Sequence, residues 1–180
     1  MNDKTPELFD ILDENGVPLG IKKERSLVHK EGDWHNSVHI YVFNNKDELL
    51  VHLRAPFKDL RPDCWDTRFG GHVLAGETIE DTAVKELEEE TGIKVAIGDL
   101  IRGSSYKWNG GINREFNNVF YYKWREGDSV NFSDGEVVEI KWMSIDEIIE
   151  ELKSNPEKWT SRISTLSRIY EEWKKIGSTH

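Results

Sequence analysis

Glu86, Glu89 and Glu90 stand at i, i+3 and i+4 in the run from Gly71 to Ile93. At about 100° per residue their carboxylates share one helical face, while Ala83, Val84, Leu87 and Thr91 form an adjacent face able to pack inward and Glu88 points elsewhere. Like charges one turn apart repel by roughly a few tenths of a kcal/mol, so a counter-charge is expected on that face. Hard divalent cations such as Mg²⁺ or Mn²⁺ take oxygen ligands and leave positions for substrate phosphate oxygens. Lys85 lies one turn before Glu89 and can hold it through an i, i+4 pair. An ordinary solvated acidic face is the plain alternative.

The helix that carries these acids has marked ends. Thr78 followed by Asp81 is a capping pattern, and Gly92 supplies a residue free to take positive φ where the helix stops. Gly70, Gly71 and Gly76 mark a preceding loop where the backbone can fold tightly and approach a ligand. With these flanks the segment resembles the Nudix box, Gly-x5-Glu-x7-Arg-Glu-U-x-Glu-Glu-x-Gly-U with U aliphatic. Gly71, Glu77, Glu86, Leu87, Glu89, Glu90, Gly92 and Ile93 match it, and Lys85 replaces the arginine. In the family that arginine orients a metal-binding glutamate; a lysine keeps the charge and loses the bidentate fork.

Residues 49–66, Leu-Leu-Val-His-Leu-Arg-Ala-Pro-Phe-Lys-Asp-Leu-Arg-Pro-Asp-Cys-Trp-Asp, resemble the matching stretch of isopentenyl-diphosphate isomerases, which share the Nudix fold. That resemblance implies that Arg54 and Lys58 grip a diphosphate. It also implies that His35 and His72 correspond to two metal-binding histidines, and Glu115 to a metal-binding catalytic glutamate. Three positions depart from it. The catalytic cysteine expected directly before Gly-His is Gly70, a further metal-binding glutamate aligns with Asn113, and the more upstream histidine falls near Val28, with His29 one residue out of register. Cys64 is six residues upstream of Gly70 and cannot replace that thiol without a different backbone path.

A chain that keeps the box acids and lacks the thiol is expected to hydrolyse rather than isomerise. On this reading Glu86, Glu89 and Glu90 hold one or more Mg²⁺ (or Mn²⁺) ions, and Glu89 or Glu115 takes a proton from water. Glu77 braces the loop or reaches the metal through water, and Arg54, Lys58 and His72 contact the substrate. Glu136 and Glu139 are a third choice of base, more simply read as exposed acids at a strand start. The expected substrate is a nucleoside diphosphate derivative or a related small organic diphosphate, including prenyl or thiamine diphosphate. An isomerase-like enzyme and a non-catalytic diphosphate-binding module are the alternatives. His35 reads equally well as a core histidine, and His39 and His52 read as structural. Trp65, Trp124 and Trp142 read as packing residues, with Tyr106 and Trp108 as candidates for the pocket wall.

The remaining sequence describes what must position these groups. A chain of 180 residues suits one domain with a sizeable core, and a net charge of −10 with scattered basic residues argues against nucleic acid polymers or anionic membranes as partners. A single cysteine, a polar start and the lack of a long apolar run lead to the expectation of a cytoplasmic protein without disulfides, signal peptide or membrane span. Strands are expected at 9–12 and 17–21 around Asn15-Gly16 and at 38–43 and 49–53, and 65–69 leads into the glycine turn and the box helix. Three more are expected at 95–106, 116–124 and 137–142. Helices are expected at 144–152 and, after Asn155-Pro156, over about 156–175, where Trp159, Ile163, Leu166, Ile169, Tyr170 and Trp173 form a stripe suited to core or homodimer packing. The family resemblance, covering about residues 7–152, implies an α/β/α sandwich around a mixed sheet, to which the C-terminal helix is an addition.

Overall fold

The computed structural model of the chain describes residues 6–57, 61–131, 135 and 137–177. Lys58 and Glu136 lie outside them. The expected hairpin around Asn15-Gly16 forms from β1 (Leu8–Leu12) and β2 (Pro18–Glu24), with Gly16 at φ 83° supplying the turn. A short helix, α1 (Arg25–Glu31), then leads through Gly32 into β3 (Trp34–Phe43), which turns back at Asn44 into β4 (Leu49–Arg54). After β5 (Trp65–Asp66) and the glycine-rich stretch comes the box helix, α2 (Ile79–Thr91). Its ends are those expected: the Thr78 side chain accepts from Asp81 N–H at 3.0 Å, and Gly92 closes it at φ 76°.

Downstream lie β6 (Leu100–Arg102), β7 (Tyr106–Asn109), β8 (Arg114–Lys123), β9 (Val137–Met143), α3 (Ile145–Ser154) and α4 (Ile163–Ile176). The described strands join one mixed sheet. β3 runs parallel to β8 from Trp34↔Arg114 to Phe43↔Lys123, while β4 pairs antiparallel with β5 and β9, and β6 and β7 pair antiparallel with β8.

Because side chains alternate along a strand, this pairing sorts residues onto two faces. Val38, Ile40, Val42, Phe120 and Tyr122 face one side and pack with Ala83 and Leu87 of α2. Tyr41, Phe43, Val119 and Tyr121 face the other, under Leu166, Ile169 and Trp173 of α4. Phe43 and Trp173 stack at 4.7 Å, and Trp173 donates to Asp47 Oδ1 at 2.9 Å, so α4 belongs to the core.

Two expectations need correction. The run 95–106 is not one strand: Asp99 accepts from Ala96 N–H at 2.8 Å and turns the chain before β6, which ends at Arg102. The C-terminal helix begins at Ile163 rather than near 156. Pro156–Lys158 makes one 3₁₀ turn, and Trp159 then pairs beside Trp65, with Thr160 N–H donating to Trp65 C=O at 2.9 Å. Helical periodicity in the sequence carried past this point, but a backbone already bonded to β5 cannot close a helical turn there.

Candidate functional site

The long parallel register puts His35 beside Glu115 and Ser37 beside Asn117, all on the face that further along becomes the aromatic core under α4. Residues 69–73 run along the same part of β3, with bridges Ile40↔Phe69 and Ser37↔His72, and so bring in His72. α1 buries Val28 against Phe9 and Ile11, which turns the next residue, His29, toward the same place. The register reading that left His29 outside the site is therefore corrected. Helix rotation and packing of Val28, neither visible in residue spacing, decide its direction. The ligating atoms of His29, His35 and His72 all lie within 4.8 Å of one another.

These residues fit a metal ion. His35 Nδ1 lies 3.0 Å from Asp33 C=O, and a carbonyl only accepts, so Nδ1 carries the hydrogen and Nε2 keeps its lone pair. That Nε2 and the Nε2 of His29 are buried without a hydrogen-bond partner. Burial, with help from neighbouring imidazoles, brings His29 down to about 4, and burial also lowers His35. Both are neutral near pH 7, the form that binds metal. Metal–nitrogen bonds of about 2.0–2.1 Å require ligand atoms roughly 3–4 Å apart, a small contraction from this arrangement.

Glu115 completes the cluster. Its Oε1 is 3.3 Å from His72 Nε2 and 3.9 Å from His35 Nε2, and accepts from Asn113 Nδ2 at 2.9 Å. Burial alone would raise this carboxyl, but the hydrogen bond to His72 and the surrounding imidazoles carry it well below the ordinary range. It is an ionised acceptor at neutral pH.

The box acids are distributed around the glycine turn. Glu90 accepts from Gly70 N–H at 2.8 Å and lines the same cavity as His72 and Glu115. Glu86 lies against Gly71, where an added Cβ would come within 2.6 Å of its carboxylate. Glu89 is exposed and, with Lys85, Glu88 and Lys94, lines a separate groove of about 760 Å³ on the outer side of α2. Among the described residues the three glutamates do not gather into one ligand cluster. Lys85 pairs with Glu77 at 3.3 Å, not with Glu89 as its spacing suggested. Glu77 also accepts from Thr82 Oγ1 at 3.0 Å and braces the loop as expected. At Gly70 (φ 137°) an added Cβ would stand 2.1 Å from Val38 C=O, so this backbone admits no side chain.

The cavity measures about 740 Å³ and extends from the histidines past Gly70 and Gly71 to Arg54, Asp66 and Arg68. Tyr106 and Trp108 line it as expected, and so does His39, whose Nδ1 lies 3.1 Å from Tyr106 Oη. His52 stacks on Phe69 at 4.6 Å in the core. Cys64 is buried and its Sγ points to Glu157 C=O at 3.4 Å. Sequence reasoning missed Arg68 and the Thr160–Arg162 wall. The alternation Asp66, Arg68, Gly70, His72 was a signal for Arg68; nothing local marks the wall.

The NUDIX domain model matches residues 33–163. The chain belongs to the Nudix hydrolase family. An uncharacterized Nudix hydrolase of Clostridium acetobutylicum is 34% identical over 150 residues, covering 79% of this chain and 72% of that one. An isopentenyl-diphosphate Δ-isomerase of Pectobacterium atrosepticum is 28% identical over 172 residues, covering 93% and 94%. The chain spans only 16% of the length of Nudix hydrolase 3 of Arabidopsis thaliana, to which it is 37% identical over 121 residues. In fold, this Nudix chain superposes on a Deinococcus radiodurans crystal structure with a TM-score of 0.75 at 18% identity, covering 90% and 98%. Among its described residues no helix is long and apolar enough to cross a membrane.

Proposed function

We propose that the protein is a divalent-metal-dependent hydrolase that cleaves a diphosphate linkage in a nucleoside diphosphate derivative or a related small organic diphosphate. The observation that carries this reading is the convergence of His29, His72, Glu115, Glu90 and Arg54 on one cavity beside the Gly70–Gly71 turn, with the buried His35 clustered on the other two histidines. The three histidines would hold one ion, with Glu115 at their edge. Such an imidazole set suits Mn²⁺ or another transition metal better than Mg²⁺, whereas Glu86 and Glu90 offer the oxygen ligands that suit Mg²⁺. A bound ion would neutralise diphosphate charge and acidify water. Glu115, ionised and anchored by Asn113, is the base for the attacking water; Glu89 lines the outer groove of α2 instead of this cavity. Arg54 and His72 contact the substrate from the cavity wall.

Two observations weigh against the isomerase alternative. Moving a double bond requires one proton delivered to carbon and another removed. Gly70 leaves no room for a side chain where the isomerase thiol stands, and Glu115 is held ionised. The decisive experiment is release of phosphate, diphosphate or phosphomonoester products, followed by chromatography, from a panel of nucleoside diphosphates and triphosphates, nucleotide sugars, thiamine diphosphate and prenyl diphosphates, with Mg²⁺, Mn²⁺ or excess chelator. Metal-dependent release is expected. Binding without turnover across the panel would mean a binding module. Deuterium uptake by isopentenyl diphosphate in deuterated water would mean an isomerase.

A further inference from the structure

The end of the cavity away from the histidines carries a cation with unfilled bonding capacity. Arg68 Nη1 lies 3.8 Å from Asp66 Oδ1, and Arg54 Nη1 lies 3.7 Å from Asp66 Oδ2, so one carboxylate stands between two guanidiniums. Both separations exceed the about 2.7–2.9 Å of a charge-assisted hydrogen bond. Among the described residues, Asp66 is the only ion-pair partner of Arg68, and the Arg68 guanidinium donates no hydrogen bond, although such a group carries about five N–H donors. Its side chain is only 28% exposed, and it lines the cavity. Burial opposes its charge, but the Asp66 carboxylate keeps it protonated.

A largely buried guanidinium with unfilled donors is unfavourable unless an anion meets it. The surrounding wall is fixed in advance: Thr160 N–H is bonded to Trp65 C=O, Thr67 and Ser161 hydroxyls meet at 2.6 Å, and the Arg162 guanidinium stacks 4.7 Å over Trp108. Arg68 and His72 are four residues apart on a stretch laid along β3, roughly 13 Å of extended chain. An arginine side chain together with one diphosphate can span such a gap.

We propose that Arg68 is a specificity-determining residue that binds the free terminal phosphoryl group of a diphosphate monoester and selects it over diphosphates esterified at both ends. The proposal rests on the diphosphate reading of the same cavity. A terminal phosphoryl group offers three non-bridging oxygens and an additional negative charge to the planar fork of an arginine; an esterified phosphoryl group has two such oxygens and less charge. Arg54, which shares Asp66 with Arg68, adds positive charge at the same end, while Asp66 offsets part of it and holds Arg68 in place.

The test is calorimetric binding of methylenediphosphonate, which cannot be hydrolysed, and of its P,P′-dimethyl ester, in Mg²⁺-containing buffer. The wild-type protein is expected to prefer the free diphosphonate by about tenfold or more. Arg68→Gln should abolish that preference, and Arg68→Lys, which keeps the charge but not the fork, should retain part of it. Thermal melts establish that each variant is folded. A wild type without preference, or a folded Arg68→Gln or Arg68→Lys protein with the full wild-type preference, would overturn the proposal. Turnover does not enter the measurement, so a preference lost in Arg68→Gln with no hydrolysis of any panel substrate would defeat the hydrolase reading while leaving the anion subsite in place.

Discussion

His35 and Glu115 are register partners in the parallel pairing of β3 with β8, and their side chains meet at 3.9 Å on the site face of the sheet. Strand periodicity makes this relationship sensitive. A slip of one residue would send one of the two to the α2 face. The acid and the imidazole are thus brought together by a sheet register whose remaining length is held by the buried Val38–Phe43 and Val119–Tyr122 segments.

The histidine cluster should bind metal whether or not substrate is present. Adding Mn²⁺ or Zn²⁺ to chelator-treated protein should raise the melting temperature, by the equivalent of about 2.7 kcal/mol at a metal concentration about 100 times Kd. His35→Ala and His72→Ala should lose most of that response. An unchanged melt and no retained metal in the wild type would sink the assignment.

The acids should separate by kinetics. Glu115→Gln should lower kcat by about 100-fold or more with a smaller change in KM, whereas Arg54→Ala should mainly raise KM. Glu90→Gln, altering a carboxylate in the cavity, should be more damaging than Glu89→Gln, altering one on the outer groove. Wild-type turnover in Glu115→Gln would exclude it as the base.

Gly70 should be the least replaceable residue of the turn. Gly70→Ala combines positive φ with a Cβ 2.1 Å from Val38 C=O and should cost roughly 2–4 kcal/mol in urea denaturation. At Gly76 (φ 91°) an added Cβ meets nothing within 4 Å, so Gly76→Ala should carry only the backbone strain, roughly 1–2 kcal/mol. Equal costs at the two sites would show that the backbone around Val38 yields easily.

Acid should destabilise the fold through His39. Burial holds its pKa well below the ordinary value of 6.5, so below pH 6.5 the unfolded chain binds a proton that the folded chain does not. Stability is then fully present above pH 6.5 and is lost progressively as pH falls below it. Denaturant midpoints measured between pH 4 and pH 8 should show this slope, and His39→Gln should reduce it. An unchanged slope in that variant would remove His39 as its source.

The box helix and its caps were legible in the amino-acid sequence, since Thr78, Asp81, the inward Ala83 and Leu87, and Gly92 act within a few residues of one another. The hairpins and the family kinship were equally local. Side-chain direction across elements was not. His29 enters the cluster because α1 rotates to bury Val28, and Glu89 leaves the cavity because the rotation of α2 that buries Ala83 and Leu87 turns Glu90 to Gly70 and Glu89 to the outer groove. The helix expected from Pro156 starts instead at Ile163, because β5 captures the backbone at Trp159 and Thr160. The sequence by itself determined which residues could bind metal and diphosphate, because residue chemistry and short-range periodicity are properties of the chain. Only the tertiary structure decided which of them meet, because strand register, helix rotation and the Arg68–Asp66–Arg54 arrangement arise from packing between distant segments.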